Sequence, residues 1–173
     1  MGLRSGGSAF RIRALKHRWS IVALALVAAS AFALSVQAGR WWTIGDVEIG
    51  PFGSLSPFGG PGPLSWAGGS ARWERFGVAA GAGGLIAMLV LLVVAGAVAA
   101  HRVPRLAART ALVAIATASA AAIGFVVARP DNGLPFELGR GAVLFAAAVV
   151  LGILAALRVL RTPGREASTT APS

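Results

Sequence analysis

The residue types that support acid–base, nucleophilic or metal chemistry are scarce in this chain of 173 residues. It has no cysteine, two histidines and six acidic residues. His17 and His101 lack the cysteine, histidine or acidic neighbours that a metal or haem site needs. No serine has a histidine and a carboxylate in a catalytic arrangement, and no glycine-rich loop connects a strand to a helix in the phosphate-binding manner. The sequence therefore predicts no catalytic residue, no metal site and no cofactor, which indicates a non-enzyme.

The one sizeable loop, residues 40–76, is aromatic rather than catalytic. An enzyme site there would depend on Asp46, Glu48 and Glu74 alone, without a histidine. The loop instead contains four of the five tryptophans and four of the nine prolines, and its proline and glycine content excludes a regular helix over residues 50–64. Its aromatic residues are the candidate interaction residues: Trp41, Trp42, Phe52, Phe58, Trp66 and Trp73.

The start of this loop has a strand pattern. Residues 42–49 form either a short hairpin around the two-residue turn Gly45-Asp46, or one strand with Val47 and Ile49 on the same face. The apolar residues that follow, from Ile49 to Leu64, suggest that the loop folds back onto the strands or onto a membrane. At its end, Ser70 is a candidate helix N-cap.

Long apolar segments must position this loop. The chain is 56% hydrophobic and 13% charged, against about 45–50% and about 25% in soluble domains. Residues 77–100 contain no charge and no proline. As a helix this segment would be about 36 Å long, enough to cross a hydrocarbon core of about 30 Å.

Four such apolar segments predict the fold class, an all-α membrane protein. It is a bundle of four transmembrane helices with a short β or irregular extracytoplasmic cap from the first outer loop. The predicted helices are residues 19–39, 77–100, 110–128 and 141–160. Between and beyond them lie a basic tail (1–18), the outer loop (40–76), a connector (101–109), an outer turn (129–140) and a second tail (161–173).

The first apolar segment has two interpretations. It is either a retained helix or a secretory signal cleaved after Ala38, since a basic region precedes it and Val36-Gln37-Ala38 resembles a cleavage site. The segment is longer than the usual apolar region of about 7–15 residues, which favours a retained helix.

Charge placement predicts the orientation. Eleven of the 16 basic residues lie in the two tails, the connector and the last turn of the fourth segment (Arg158), with one acid, whereas the outer loop and outer turn contain five basic and five acidic residues. The positive-inside rule then places both termini in the cytoplasm and residues 40–76 outside. Because the basic clusters flank apolar segments, they indicate topology signals and not a nucleic-acid surface. The bias towards Ala, Gly and Arg is typical of a bacterial protein, which predicts a bacterial inner membrane.

Small residues on the apolar segments are the candidate helix-packing positions: Gly77, Gly81, Gly84 and Gly152. Gly77 and Gly81 form a GxxxG pattern, which allows close approach of helix backbones either within the bundle or in a homo-oligomer. None of the four segments has an ionisable residue in its interior, which argues against a proton-coupled transporter or a voltage sensor.

The layout resembles that of the claudin-like tetraspan membrane proteins. Trp41 or Trp42 matches the tryptophan that opens the large first outer loop of that family, and Arg72 lies where a basic residue precedes its second helix. The Gly-Leu-Trp signature and both cysteines of the family are missing. The resemblance implies a small antiparallel sheet above a four-helix bundle, and it does not extend to the sealing or pore function of the family.

These patterns predict a non-enzymatic integral membrane protein that acts by interaction, through the aromatic outer loop and the small-residue helix faces. The alternative is an accessory subunit of a channel or transporter complex. The expected partners are the lipid bilayer and either another membrane protein or a second copy of the chain, with no nucleic acid.

The absence of cysteine allows the orientation to be tested by labelling introduced cysteines one at a time. We expect Ser56→Cys, in the outer loop, to react with a membrane-impermeant maleimide on intact cells. Ser168→Cys, in the carboxy-terminal tail, should react only after the membrane is permeabilised. Labelling of both positions before permeabilisation, or the reverse pattern, would contradict the predicted orientation.

Overall fold

The described part of the chain forms four helices and a small sheet. In this computed structural model it comprises residues 6–37, 40–44, 47–55, 72–129 and 136–162. The helices are α1 (Gly6–Gln37), α2 (Arg72–Ala99), α3 (Arg105–Val127) and α4 (Arg140–Arg161). Each is long and apolar enough to cross a membrane, α1 through its segment Leu15–Gln37. The predicted fold class, a four-helix membrane bundle with a small β cap, is confirmed.

The helices are longer than the apolar segments that predicted them. Helix α1 begins at Gly6, within the predicted basic tail, because residues 9–16 are mostly good helix formers and contain no proline. Helix α3 begins at Arg105, directly after Pro104, a residue that is tolerated at a helix start and not inside one. The candidate N-cap Ser70 lies outside the described residues.

The sheet joins the two loops on one side of the bundle. Its strands are β1 (Trp42–Ile44), β2 (Val47–Gly50), β3 (Gly53–Leu55) and β4 (Phe136–Leu138), in the antiparallel order β3-β2-β1-β4. Ile44 pairs with Val47, so the hairpin is right and the single-strand alternative is wrong. Strands β3 and β4 were not predicted from the sequence. Three residues are too few to show an alternating pattern, and β4 forms only by pairing with β1, in a segment that had been predicted as a turn.

Close backbone approach holds the helices together. Around the bundle the neighbouring pairs are α1–α2, α2–α3, α3–α4 and α4–α1. The buried faces consist largely of alanine, including Ala25, Ala28, Ala87 and Ala148, each fully inaccessible to solvent. Lipid tails are as apolar as these side chains, so association depends on tight packing of small residues.

Glycines mark the closest contacts between helices. A Cβ added at Gly83 of α2 would lie 2.9 Å from the Ala118 Cβ and 3.1 Å from its Cα in α3. A Cβ at Gly152 of α4 would lie 2.8 Å from the Ile115 Cδ1. Ile115 can rotate its terminal methyl away, whereas the Ala118 backbone cannot move without shifting α3.

We expect Gly83→Ala to lower the free energy of unfolding by about 1–3 kcal/mol, because the added methyl group forces α2 and α3 apart. Thermal unfolding of the purified protein in detergent measures this change. Gly96→Ala is the matched control in the same helix, since a Cβ there meets no atom within 4 Å. Equal destabilisation by both substitutions would contradict the packing argument.

Candidate interaction site at the sheet end of the bundle

The dipeptide Arg40-Trp41 connects the end of α1 to the start of α4. The Trp41 indole Nε1–H donates a hydrogen bond of 2.9 Å to the backbone oxygen of Ser35, in the last turn of α1. Carbonyl oxygens in the last turn of a helix receive no hydrogen bond from within the helix, because no further turn follows to donate one. Trp41 therefore satisfies a polar group of α1 that would otherwise be costly to bury.

The Arg40 backbone supplies the corresponding hydrogen-bond acceptor at the start of α4. Helix α4 has no side-chain cap at Gly139, and its Gly141 N–H donates to the Arg40 backbone oxygen at 2.7 Å. The Gly139 N–H donates to the Trp41 oxygen, also at 2.7 Å. A Cβ at Gly141 would meet the Trp41 ring at 2.5 Å, so only glycine fits beside this ring. The Arg40 side chain forms an ion pair with Glu48, with 3.2 Å between Nη1 and Oε1, and both side chains are partly exposed.

Aromatic rings fill the space between this dipeptide and the helices. Trp41 and Trp42 are 1% and 0% exposed. The Trp41 ring centroid lies 4.8 Å from that of Phe145 in α4 and 5.8 Å from that of Phe125 in α3. The Trp42 centroid lies 4.0 Å from Phe125, and Trp73 of α2 is stacked on the same phenylalanine at 6.1 Å. This aromatic cluster anchors the sheet to α2, α3 and α4.

The glycine-lined end of α2 receives the turn between β2 and β3. The Phe52 ring lies over Gly81, where an added Cβ would be 2.7 Å from the Phe52 Cζ. A Cβ at Gly77 would be 2.8 Å from the Pro51 oxygen. The GxxxG face is therefore covered at this end by the turn between β2 and β3 and, at Gly77, also by the Phe125 ring of α3.

An apolar groove opens between α3 and α4 below the sheet. We refer to it as the α3–α4 groove; its volume is about 580 Å³. Its floor includes Trp41 and Phe145, and its walls extend from Ser119 to Val127 on α3 and from Ala142 to Val150 on α4, with Leu138 of β4 at the top. Each wall spans about 12 Å of helix. Helices α3 and α4 contact each other less extensively than the other neighbouring pairs do, which leaves this space open.

The groove has no free hydrogen-bond donor for a ligand. Its lining contains no titratable side chain. The Ser119 hydroxyl donates to the Ile115 oxygen at 2.7 Å, and the Trp41 indole N–H is bonded to Ser35. Selection by this groove therefore rests on shape and apolar contact, and its lining offers no acid, base or nucleophile. Among the described residues, no three His, Cys, Asp or Glu side chains are grouped to hold a metal ion.

The six candidate interaction residues differ in their burial. Trp41 and Trp42 are buried, so their rings are not open to a partner, and Phe52 and Trp73 are partly buried. Phe58 and Trp66 lie outside the described residues. Of the candidate packing residues, Gly77 and Gly81 contact the cap, Gly84 faces Phe145 and Phe32, and Gly152 faces Ile115 and Leu91.

Sequence reasoning missed Phe125, Phe145 and Gly141. The two phenylalanines were visible as single aromatic residues near the loop ends of alanine-rich segments, which is a usable signal for contact with an aromatic loop. Gly141 had no such signal, because its role depends on Arg40 and Trp41, a hundred residues away in sequence.

Comparison with known proteins identified no match. No protein-family model matches this chain, and neither a curated protein nor a solved structure matches it.

We expect Trp41→Ala to destabilise the protein by about 3–5 kcal/mol, because it empties the space beside the Phe125 and Phe145 rings. Trp41→Phe keeps a ring and loses the bond to Ser35, so we expect a smaller loss of about 1 kcal/mol. Thermal unfolding in detergent gives both values. The control is Trp19→Ala, whose side chain is 51% exposed; a loss there as large as that of Trp41→Ala would refute the anchoring role.

Proposed function

We propose that the protein is a non-enzymatic, multi-pass membrane protein that acts by binding a transmembrane helix of another membrane protein in the α3–α4 groove. The observation behind this proposal is the groove itself, an open apolar space of about 580 Å³ at the least extensively packed seam of the bundle. The small-residue faces of α2 are already filled by the cap and by α3. The groove, in contrast, is open and unfilled.

The lining favours a helix as the occupant. Ala122 on α3 and Ala142 and Ala146 on α4 are small, so a partner backbone can approach closely. Exposed branched side chains border the groove on both helices; Ile123 and Val143 are each 64% exposed. A helix of small and branched residues would bury these side chains and gain packing contacts that mobile lipid chains do not supply.

Shape argues for a different protein over a second copy in a symmetric dimer. A two-fold interface brings the same surface of both subunits together. Two concave grooves that face each other leave a void, which loses the contacts that stabilise membrane association. A convex helix from another chain fills the space.

Strand β4 offers a second point of contact above the groove. It pairs with β1 on one side, and it is an edge strand in the described sheet. Leu138 of β4 is 60% exposed and lines the top of the groove. An extended segment that precedes the partner helix can add to this edge by backbone hydrogen bonds.

The proposed orientation has both termini in the cytoplasm and the sheet outside, in a bacterial inner membrane. Charge supports it, since the acidic residues Glu48, Glu74 and Glu137 all belong to the sheet end of the bundle, while the opposite end is basic. A partner would then be met in the outer half of the membrane.

Filling the groove tests the proposed function. We expect Ala146→Phe, which places a ring in the groove, to reduce recovery of a specific co-purifying membrane protein at least tenfold. Ala147→Phe is the matched control, because Ala147 is exposed on the same helix and does not line the groove. Affinity purification from native membranes with quantitative mass spectrometry compares the two variants with the unaltered protein.

A photo-crosslinker at Val143 identifies what occupies the groove. Crosslinks to a transmembrane segment of the same membrane protein whose recovery falls in Ala146→Phe support the proposal. Crosslinks only to lipid, or only to a second copy of this chain, overturn it. Equal loss of the partner in both phenylalanine variants also overturns it.

A further inference from the structure

Three arginines join the helices at the end of the bundle opposite the sheet. The Arg18 guanidinium of α1 contacts the His101 ring, with Nη1 2.7 Å from Nε2. Arg105 Nη2 of α3 lies 3.5 Å from the Thr162 backbone oxygen, just after α4. Arg158 Nη1 of α4 donates to the Ser20 hydroxyl of α1 at 3.1 Å. These contacts form a closed circuit from α1 through the α2–α3 connector to α4 and back, which we call the arginine ring.

No acceptor in the arginine ring is a carboxylate. The contacts go to an imidazole, a backbone carbonyl and a hydroxyl, and none goes to a carboxylate. The acidic residues in the described part of the chain are Glu48, Glu74 and Glu137, which all lie at the sheet end. The ring therefore fixes three positive charges in place without neutralising them.

The neighbourhood adds to this charge. Arg102, Arg109 and Arg161 are exposed at the same end. The Nε of Arg18 is buried and has no hydrogen-bond partner among the described residues. The preorganised guanidinium groups retain unused donors, and their planar fork matches the geometry of a phosphate group.

In a membrane spanned by the four helices, the arginine ring would lie near the lipid headgroups. It lies at the ends of helices that are long and apolar enough to cross a membrane. Trp19, which follows Arg18, is 51% exposed, and its ring centroid is 5.5 Å from the Arg18 Cζ. Tryptophan with arginine is the composition found at the interface between hydrocarbon and water.

We propose that the arginine ring is a binding site for the phosphate of an anionic phospholipid headgroup. The site holds the lipid by charge-assisted hydrogen bonds, and the lipid supplies the negative charge that the described residues at this end lack. The same phosphate chemistry is available from soluble anions, so the experiment includes them. The proposal does not depend on a partner in the α3–α4 groove.

Lipid-dependent stability of the full-length protein tests the site. The purified protein in a zwitterionic detergent is titrated with phosphatidylglycerol, phosphatidylcholine or inorganic phosphate, and the rise in melting temperature gives the apparent affinity. We expect phosphatidylglycerol to stabilise the protein and the other two to have little effect. Each of Arg18→Gln, Arg105→Gln and Arg158→Gln should weaken phosphatidylglycerol binding by about fivefold, the effect of one basic residue at a membrane surface.

Controls separate lipid binding from a purely structural role. Arg140→Gln, an exposed arginine at the sheet end, should leave the affinity for phosphatidylglycerol unchanged. Arg158→Lys should restore part of the affinity lost in Arg158→Gln, because it keeps the charge. If the glutamine variants melt at lower temperature but respond to phosphatidylglycerol as the unaltered protein does, the arginine ring is only structural and the proposal is wrong. Equal stabilisation by inorganic phosphate, or by phosphatidylcholine, also overturns it.

Discussion

The structure depends on satisfying backbone groups where α1 ends and α4 begins. In a membrane protein an unpaired carbonyl or N–H near the hydrocarbon costs several kcal/mol. Arg40 and Trp41 pair such groups in both helices, since the indole N–H donates to the Ser35 carbonyl of α1 and the Arg40 carbonyl accepts from the Gly141 N–H of α4. Helices α1 and α4 are neighbours in the bundle even though they are the first and last helices in the sequence. The Arg40-Trp41 junction fixes how far apart their sheet ends can lie.

The same junction determines the groove. Once the Trp41 indole is bonded to α1, its ring must lie between α3 and α4, where it contacts Phe125 and Phe145. The ring keeps the sheet ends of these helices apart, and alanines are too small to close the space below it. The α3–α4 groove thus lies directly beside the residue that caps α1.

Sequence alone predicted most of the architecture and little of the site. Four helices followed from local patterns, because apolar length acts over short distances along the chain, and the hairpin was one of the two alternatives that residues 42–49 allowed. Strand β4, the role of Gly141 and the contacts of Phe125 depend on pairing between segments far apart in sequence, which no local pattern encodes. The tryptophans were predicted to be interaction residues from their position in the loop, but loop position says nothing about burial, and Trp41 and Trp42 are buried. The claudin-like resemblance stays a prediction.

Different kinds of interaction join the helices at the two ends of the bundle. At the sheet end, backbone hydrogen bonds and aromatic packing leave little unpaired, and Arg40 meets the carboxylate of Glu48. At the other end, arginines contact an imidazole, a backbone carbonyl and a hydroxyl, so the helices are joined without a carboxylate. An arginine paired with a carboxylate would join the helices as well but would cancel its charge. The contacts at the second end therefore join the helices and leave that end basic.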